Sequence, residues 1–191
     1  PMDHKTPFMP TRRSALLGLA ATATPLPALA QTDEDQQVQD ALYALVLSEH
    51  APEGVDINRV IKMLILHDLV EIDAGDNPIH GNHDPAEQER IEQLAADRIF
   101  GLLPMDQRDT FRALWEEFEA AETDDAIFAK SVDRVQPVIS NLETDGGTWP
   151  EYKVTPEQLE TRVGAKVARG APALWAHLKS AIDTWFAGRK A

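Results

Sequence analysis

The stretch IKMLILHDLVEIDAGD, Ile61 to Asp76, places a His-Asp pair in the middle of an apolar run and follows it with further acids. An ionised carboxylate in a protein core costs several kcal/mol unless it is paired or bound to a metal. Because residues three and four apart share a helical face, His67, Asp68 and Glu71 lie on neighbouring parts of one face. Two interpretations follow: a solvated edge beside a core histidine, or a buried helix that carries a binding site.

The composition limits the classes of function. The chain has 191 residues, of which 43% are hydrophobic and 26% charged, and this predicts one globular domain with a sizeable core. The formal net charge of −14 disfavours binding to a nucleic acid polymer or to an anionic membrane, because both are repelled without a basic patch. The absence of cysteine leaves histidine and carboxylates as the side chains that could hold a metal.

The segment TRRSALLGLAATATPLPALAQ near the N-terminus has the pattern of an export signal. Arg12 and Arg13 precede an Ala/Leu-rich run that is too short to span a bilayer and ends in Ala28-Leu29-Ala30. We therefore expect an export-signal-like segment over residues 1–31 and a domain over residues 32–191, with no membrane span in the mature chain. The alternative is an Ala-rich helix packed on the domain. The protein would be periplasmic or exported in the first case and cytoplasmic if the segment is not a genuine signal.

From Asp33 onward the apolar periodicity is helical and no stretch alternates as a strand does. The first helix is expected to bury Val38, Leu42, Leu45 and Val46. The expectation is an all-α protein with a single compact fold of about six or seven helices.

Local signals predict where several helices begin and end. Asp56 is a plausible N-cap of the helix INRVIKMLILHDLVEI, which Gly75 and Pro78 bring to an end. Further helices are predicted from about Pro85 to Leu103, over MDQRDTFRALWEEFEAAE, from Asp124 or Asp125 through Glu143, and over APALWAHLKSAIDTWFAG. Pro137 should kink the helix that begins at Asp124 or Asp125, or make its second half start afresh, and Thr155 with Gln158 forms a capping-box pattern.

A second acid stands inside a mostly apolar helix much later in the chain. Asp133 lies in AIFAKSVDRVQPVI, where Val132 and Val135 should face the core and Arg134 is adjacent. This places Asp133 near the boundary of the core. A surface ion pair with Arg134 is the competing interpretation.

Two segments together resemble a known family. ALYALVLSEHAPEGVDINRVIKMLILHDLVEIDAGDNP, followed by FAKSVDRVQPVISNLE, is similar to the HD-domain metal-dependent phosphohydrolases, and most to their 5'-deoxynucleotidase branch, the HD-domain-containing protein 2 family. The resemblance extends over about residues 32 to 145. It implies a helical HD-domain fold, a divalent cation, and removal of phosphate from a small phosphate ester, with a deoxynucleoside 5'-monophosphate as the expected substrate.

The resemblance also implies roles for individual residues. His67, Asp68 and Asp133 correspond to metal ligands, with Mn, Co, Fe, Zn or Mg as the candidate cation. Glu71 corresponds to the acid that handles the attacking water, and Asp76 to the acid at the sugar and phosphate end of the substrate. The resemblance further implies a homodimer.

Lys130 falls where the family often carries a basic residue. The resemblance therefore gives it a phosphate-facing, substrate-binding role. An exposed lysine without such a role is the competing interpretation.

The chain departs from the family pattern at its first predicted helix. The family reads roughly ENVAEHSWHVALMAL, whereas this chain reads TDEDQQVQDALYALV, which places Gln36 where a ligand histidine is expected. A glutamine carbonyl is a weaker ligand than imidazole for Mn, Co or Zn. His80 or His83 could replace the lost ligand, or three protein ligands with waters could suffice. A degenerate site, which would make the chain a non-catalytic binding or interaction module, is the third alternative.

Overall fold

The computed structural model describes residues 33–75, 79–81 and 84–189, with side chains from residue 39 onward. The expected export segment over residues 1–31 lies outside these ranges. So do Asp76, His83 and the side chain of Gln36.

The described residues form helices and turns, with no strand among them. The helices are α1 (Asp33–Val46), a 3₁₀ turn (Leu47–His50), α2 (Ile57–Ala74), α3 (Pro85–Phe100), α4 (Met105–Ala120), α5 (Asp124–Glu143), α6 (Pro156–Leu159), a π-helical turn (Glu160–Gly164), α7 (Ala165–Gly170) and α8 (Pro172–Ala187). Since residues 156–170 run as one continuous segment, the described part of the chain has seven helical units. The predicted all-α fold of six or seven helices is confirmed.

Several predicted helix ends are also found. The Asp56 side chain accepts hydrogen bonds from the backbone N–H groups of Asn58 and Arg59, as an N-cap does. α2 ends before Gly75, whose φ of 84° is a conformation that favours glycine. Thr155 and Gln158 exchange both hydrogen bonds of a capping box.

α5 begins at Asp124 and ends at Glu143, as predicted. Its N-cap is Thr123, whose hydroxyl accepts from the backbone N–H of Ala126 at 3.2 Å. α5 continues through Pro137 to Glu143, and the expectation of a fresh start there is wrong. One missing backbone hydrogen bond is offset because α5 buries side chains on both sides of the proline, among them Val135 and Val138.

The apolar stripe predicted for α1 is wrong. Leu42 and Leu45 are 47% and 56% exposed, and the buried face of the segment consists of Asp40, Ala44 and Leu47. This face packs against α2 and α5. The pattern of apolar residues predicted the wrong buried face of α1 because a polar residue, Asp40, occupies a core-facing position.

α2 is the central element of the packing. It contacts α1, α3, α4 and α5, and the described helices belong to one compact unit. The side chains of Val60, Met63, Leu64 and Val70 on α2 are almost completely buried. Among the described residues, no helix combines the length and the apolar character needed to cross a bilayer. The position of α2 brings its polar residues 67–71 between neighbouring helices.

Candidate metal centre

His67 lies at the centre of a group of carboxylates drawn from three helices. It is only 8% exposed. Its Nε2 atom is 3.2 Å from Glu71 Oε1 on the same helix and 3.8 Å from Asp133 Oδ1 on α5. Its Nδ1 atom is 3.0 Å from Glu119 Oε1 on α4. Both ring nitrogens of His67 therefore face carboxylate oxygens.

Glu119 orients the imidazole ring. With Nδ1 in contact with Glu119, the other nitrogen, Nε2, faces Glu71 and Asp133, which resembles the arrangement in which metal-ligating histidines are usually held. Glu119 also accepts a hydrogen bond from Lys130 Nζ at 2.8 Å. Burial would raise the pKa of Glu119, but the hydrogen bond from His67 and the positive charge of Lys130 lower it to about 2.

Glu119 was not predicted from the sequence. It is one of several acids in WEEFEAAE, and nothing in their spacing distinguishes it. Its position in the last turn of α4 is locally unfavourable for the helix, because a negative charge there opposes the helix dipole. Its partners on α2 and α5 explain its position, and both contacts are tertiary.

The ligand atoms of His67, Asp68 and Glu71 all lie within 4.8 Å of one another. Asp68 is 3% exposed, so this is a buried group and not the solvated edge of the helix. An imidazole and two carboxylates at this spacing could bind one divalent cation.

Asp133 joins this group from α5. One carboxylate oxygen faces His67 and the other, Oδ2, lies 3.3 Å from Arg134 Nε. Its side chain is 13% exposed. The ion pair with Arg134 exists, but it is not a surface pair, and the structure brings the two predicted segments together at Asp133.

Asp40 on α1 is a further buried acid that was not predicted from the sequence. It is 1% exposed, and neither of its carboxylate oxygens has a hydrogen-bond partner in the part of the chain that the structure describes. Burial, together with the negative charges of Asp133 and Asp68, raises the pKa of Asp40 to about 9. The sequence carried no signal for this position, because the apolar pattern of α1 predicted a different buried face.

The electrostatic balance of the centre favours a bound cation. Burial alone would lower the pKa of His67, but the hydrogen bonds to Glu119 and Glu71 and the charge of Asp133 raise it well above its ordinary value. The carboxylates thus stabilise positive charge at the imidazole. The donors are imidazole and carboxylate groups, and the fit to a divalent cation such as Mn²⁺, Fe²⁺ or Mg²⁺ is good.

The remaining predicted residues lie as follows. Lys130 is paired with Glu119, its Nζ lies 4.0 Å from the centroid of the Phe118 ring, and its side chain is 16% exposed. The interpretation as an exposed lysine is therefore wrong, while the phosphate-facing role stays a prediction. His80 is half-buried, and burial and the positive charge of Arg162 lower its pKa. Its role as a replacement ligand stays a prediction.

The chain is similar to proteins that are named 5'-deoxynucleotidases. The chain is 28% identical over 113 residues to the 5'-deoxynucleotidase HDDC2 of Mus musculus, covering 58% of this chain and 57% of the relative. It is 29% identical over 131 residues to the zebrafish (Danio rerio) 5'-deoxynucleotidase HDDC2, covering 65% and 66%. The chain thus spans less than two thirds of the length of these two relatives.

A solved structure is similar over most of its length. The crystal structure of a predicted metal-dependent phosphohydrolase from Magnetospirillum magnetotacticum MS-1 has a TM-score of 0.75 and 37% sequence identity, and the match covers 92% of this chain and 94% of that one. The resemblance to HD-domain phosphohydrolases of the 5'-deoxynucleotidase branch is confirmed. The model of the HD domain family matches residues 39–175, a range that contains His67, Asp68 and Asp133, and the chain belongs to that family.

Proposed function

We propose that this protein is a divalent-metal-dependent phosphohydrolase that removes the phosphate from a deoxynucleoside 5'-monophosphate. The observation that carries the proposal is the buried group of acids around His67, in which α2 and α5 bring the His-Asp pair and Asp133 together. The names of the relatives support it: the mouse and zebrafish proteins are called 5'-deoxynucleotidases and the Magnetospirillum protein a metal-dependent phosphohydrolase.

His67 through Nε2, with Asp68 and Asp133, would hold the cation. A divalent metal bound there would lower the pKa of water and offset the charge of the phosphate. Glu119 keeps the His67 ring in the required orientation through its bond to Nδ1. The cation is proposed to be Mn, Co, Fe, Zn or Mg.

Glu71 is proposed as the general base. It lies one turn after His67, and its side chain is 18% exposed, so it has both a partner in the buried group and access to solvent. In the proposed reaction Glu71 takes a proton from the attacking water as the new P–O bond forms and the ester P–O bond breaks. That proton then goes to the 5'-oxygen, which leaves as the hydroxyl of a nucleoside, and inorganic phosphate is the second product.

Asp76 and Lys130 are proposed to act on the substrate. Asp76 would contact its sugar and phosphate end, as the resemblance implies. Lys130 would contact a phosphate oxygen. Because Lys130 donates a hydrogen bond to Glu119, whose other carboxylate oxygen faces His67, its ammonium group is held close to the candidate centre.

The experiment is phosphate release from dAMP by the purified, chelator-treated chain, with Mn²⁺, Co²⁺ or Mg²⁺ added back. We expect turnover with at least one of these ions and none with the chelator alone. The Glu71→Gln variant should lose at least about a hundredfold in kcat, because a general base contributes about 10²–10⁴-fold. Absence of phosphate release with every ion would contradict the proposal.

A second candidate function is a non-catalytic binding module with a degenerate site. The observation in its favour is Gln36, which stands in α1 where the resemblance expects a ligand histidine. Under this proposal the chain would be inactive, and a Gln36→His variant would gain phosphate release. Turnover by the unaltered chain would rule the proposal out.

The homodimer, the domain boundary at residue 31 and the cellular location remain predictions. Ile65, Leu69 and Ile72 recur on one face of α2 and are 42%, 36% and 47% exposed, so a second copy could cover this apolar stripe. Light scattering of the chain and of a Leu69→Glu variant would test the homodimer, with a monomeric variant as the expected result.

A further inference from the structure

Asp40 is buried in the packing of α1 against α2 and α5, and the described side chains do not give it the partners that a buried carboxylate requires. It is 1% exposed, and neither oxygen accepts a hydrogen bond from the described residues. Burying an ionised carboxylate in this way is costly unless it is paired or binds a metal. The position of Asp40 therefore calls for a group that the protein side chains described around it do not supply.

The neighbouring contacts place this part of α1 beside the candidate metal centre. Gln136 Nε2 donates to Gln39 Oε1 at 2.7 Å. Gln39 precedes Asp40, and Gln136 lies one turn after Asp133 on α5. The helical turn that carries Asp40 therefore packs on the part of α5 that carries Asp133.

The charges acting on Asp40 come from the same centre. Asp133, Asp68 and Glu71 raise the pKa of its carboxyl, and His67 lowers it. Three of these four neighbours are acids. A divalent cation among them would offset their charge and give the Asp40 oxygens a partner.

Asp40 also lies on the appropriate part of α1. Residues 36 and 40 are four positions apart, so they occupy the same face of the helix, one turn from each other. The resemblance places the ligand histidine of the family at Gln36, which offers one weak amide oxygen. Asp40 presents a carboxylate from the same face, one turn closer to the C-terminus of the helix.

We propose that Asp40, and not Gln36, is the residue of α1 that binds the divalent cation, an inference that rests on the proposed metal-dependent function. Asp40 is not a member of the group of three whose ligand atoms lie within 4.8 Å of one another. Its carboxylate would bind the cation from the side of α1, either directly or through one bound water. The centre would then have one imidazole and several carboxylates, a set that suits Mn²⁺ or Mg²⁺ better than a set with two imidazoles.

The test is the affinity of the full chain for Mn²⁺, measured by titration calorimetry after removal of metals with a chelator and without any substrate. Asp40→Asn keeps the shape of the side chain and removes its charge. We expect the Kd for Mn²⁺ to rise at least about tenfold, as for other groups that support a metal site. Asp40→Glu, which keeps a carboxylate, should retain part of the affinity.

Two matched variants serve as controls. Gln36→Ala should leave the Kd for Mn²⁺ within about twofold of the original value, because Gln36 is not a ligand under this proposal. Asp106→Asn makes the same chemical change at an exposed acid in the first turn of α4, thirteen residues before Glu119, or about 20 Å along the helix. It too should leave the affinity unchanged.

The outcomes separate this proposal from the proposed function. A folded Asp40→Asn variant with the original affinity for Mn²⁺, or a large loss in Gln36→Ala alone, would overturn the assignment of Asp40. Lack of Mn²⁺ binding by the unaltered chain would overturn it as well. If Mn²⁺ binds and Asp40→Asn weakens it while dAMP is not hydrolysed, Asp40 is supported and the substrate proposal fails.

Asp40→Asn should fold, because it replaces the buried carboxyl of Asp40 by an uncharged amide of nearly the same shape, and circular dichroism with a thermal melt checks this. The Tm of the metal-free variant should be at least that of the original chain, and Mn²⁺ should raise its Tm by less. If the asparagine variant does not fold, Asp40→Ser replaces it in the same titration, with the same expected loss.

Discussion

Arg112 on α4 binds two acids, Asp97 on α3 and Glu116 on its own helix, each at 2.7 Å. The acids around His67 are arranged differently. There, carboxylates from α2, α4 and α5 lie within 4 Å of one imidazole, and the nearby Asp40 on α1 has no hydrogen-bond partner in the described part of the chain. The surface acids are more than half exposed, whereas Asp40 and Asp68 are almost completely buried.

The difference shows which acids contribute to stability and which require a ligand. An exposed ion pair contributes about 0–1 kcal/mol, so each surface pair can be removed at little cost. A buried group of like charges destabilises the fold unless a counter-charge offsets it. Substitutions in the two regions should therefore affect different properties. Those in the centre should reduce function, and those at the surface should reduce the stability of the fold by a small amount.

The largest effect is expected for Asp68→Asn. Because Asp68 is a proposed ligand at the core of the centre, its loss should reduce phosphate release from dAMP at least about a hundredfold and weaken Mn²⁺ binding. Phosphate assays and calorimetry measure the two effects. Asp97→Asn, the same change in a surface acid, should alter neither. Equal effects of the two substitutions on phosphate release and on Mn²⁺ binding would show that the two regions do not differ in this respect.

Glu119→Gln should have the next largest effect. The variant keeps the size of the side chain but removes the negative charge of the carboxylate. That carboxylate faces His67 Nδ1 and pairs with Lys130. We expect the affinity for Mn²⁺ to fall about 10–100-fold, as for second partners of metal-ligating histidines. Glu116→Gln on the same helix is the control and should bind Mn²⁺ normally. A Glu119→Gln variant with unchanged affinity would show that the ring of His67 is held in place without this bond.

The stability of the metal-free protein should depend on pH through Asp40. The pKa of Asp40 is raised from 3.8 to about 9 in the folded chain. Between these values the folded chain keeps a proton that the unfolded chain has released, so the free energy of unfolding falls as the pH rises. Asp40→Asn removes this contribution, and its Tm advantage should grow between about pH 5 and about pH 8. A difference in Tm that is independent of pH would contradict the shift.

Arg112→Ala should have a moderate effect on stability and none on the centre. The Arg112 guanidinium pairs with Asp97 and Glu116 and lies 5.0 Å from the centroid of the Trp115 ring. Loss of these contacts should lower the free energy of unfolding by about 1–2 kcal/mol, measured by urea denaturation. The control, Glu87→Gln, affects a fully exposed pair with Arg90 and should leave stability unchanged. A change in Mn²⁺ affinity in Arg112→Ala would show that the two regions are coupled.

The helical class, the helix that carries the His-Asp pair and the caps at Asp56 and Thr155 could be predicted, because they depend on local periodicity and on short-range hydrogen bonds. The resemblance to the family named His67, Asp68 and Asp133, and the structure brings these residues together. Asp40 and Glu119 could not be predicted in this way. Their importance arises from contacts between helices that are distant in sequence, and for Asp40 the apolar pattern pointed to the wrong face of α1.

The course of α5 through Pro137 has a mechanical consequence for the candidate centre. A proline has no N–H, so it cannot donate to the carbonyl four residues earlier, and in α5 that carbonyl belongs to Asp133. The helical turn that carries Asp133 therefore lacks one backbone hydrogen bond. A helix that lacks one backbone hydrogen bond bends more easily at that point, so we expect the main chain around Asp133 to resist a small shift of its carboxylate less than a regular helical turn would.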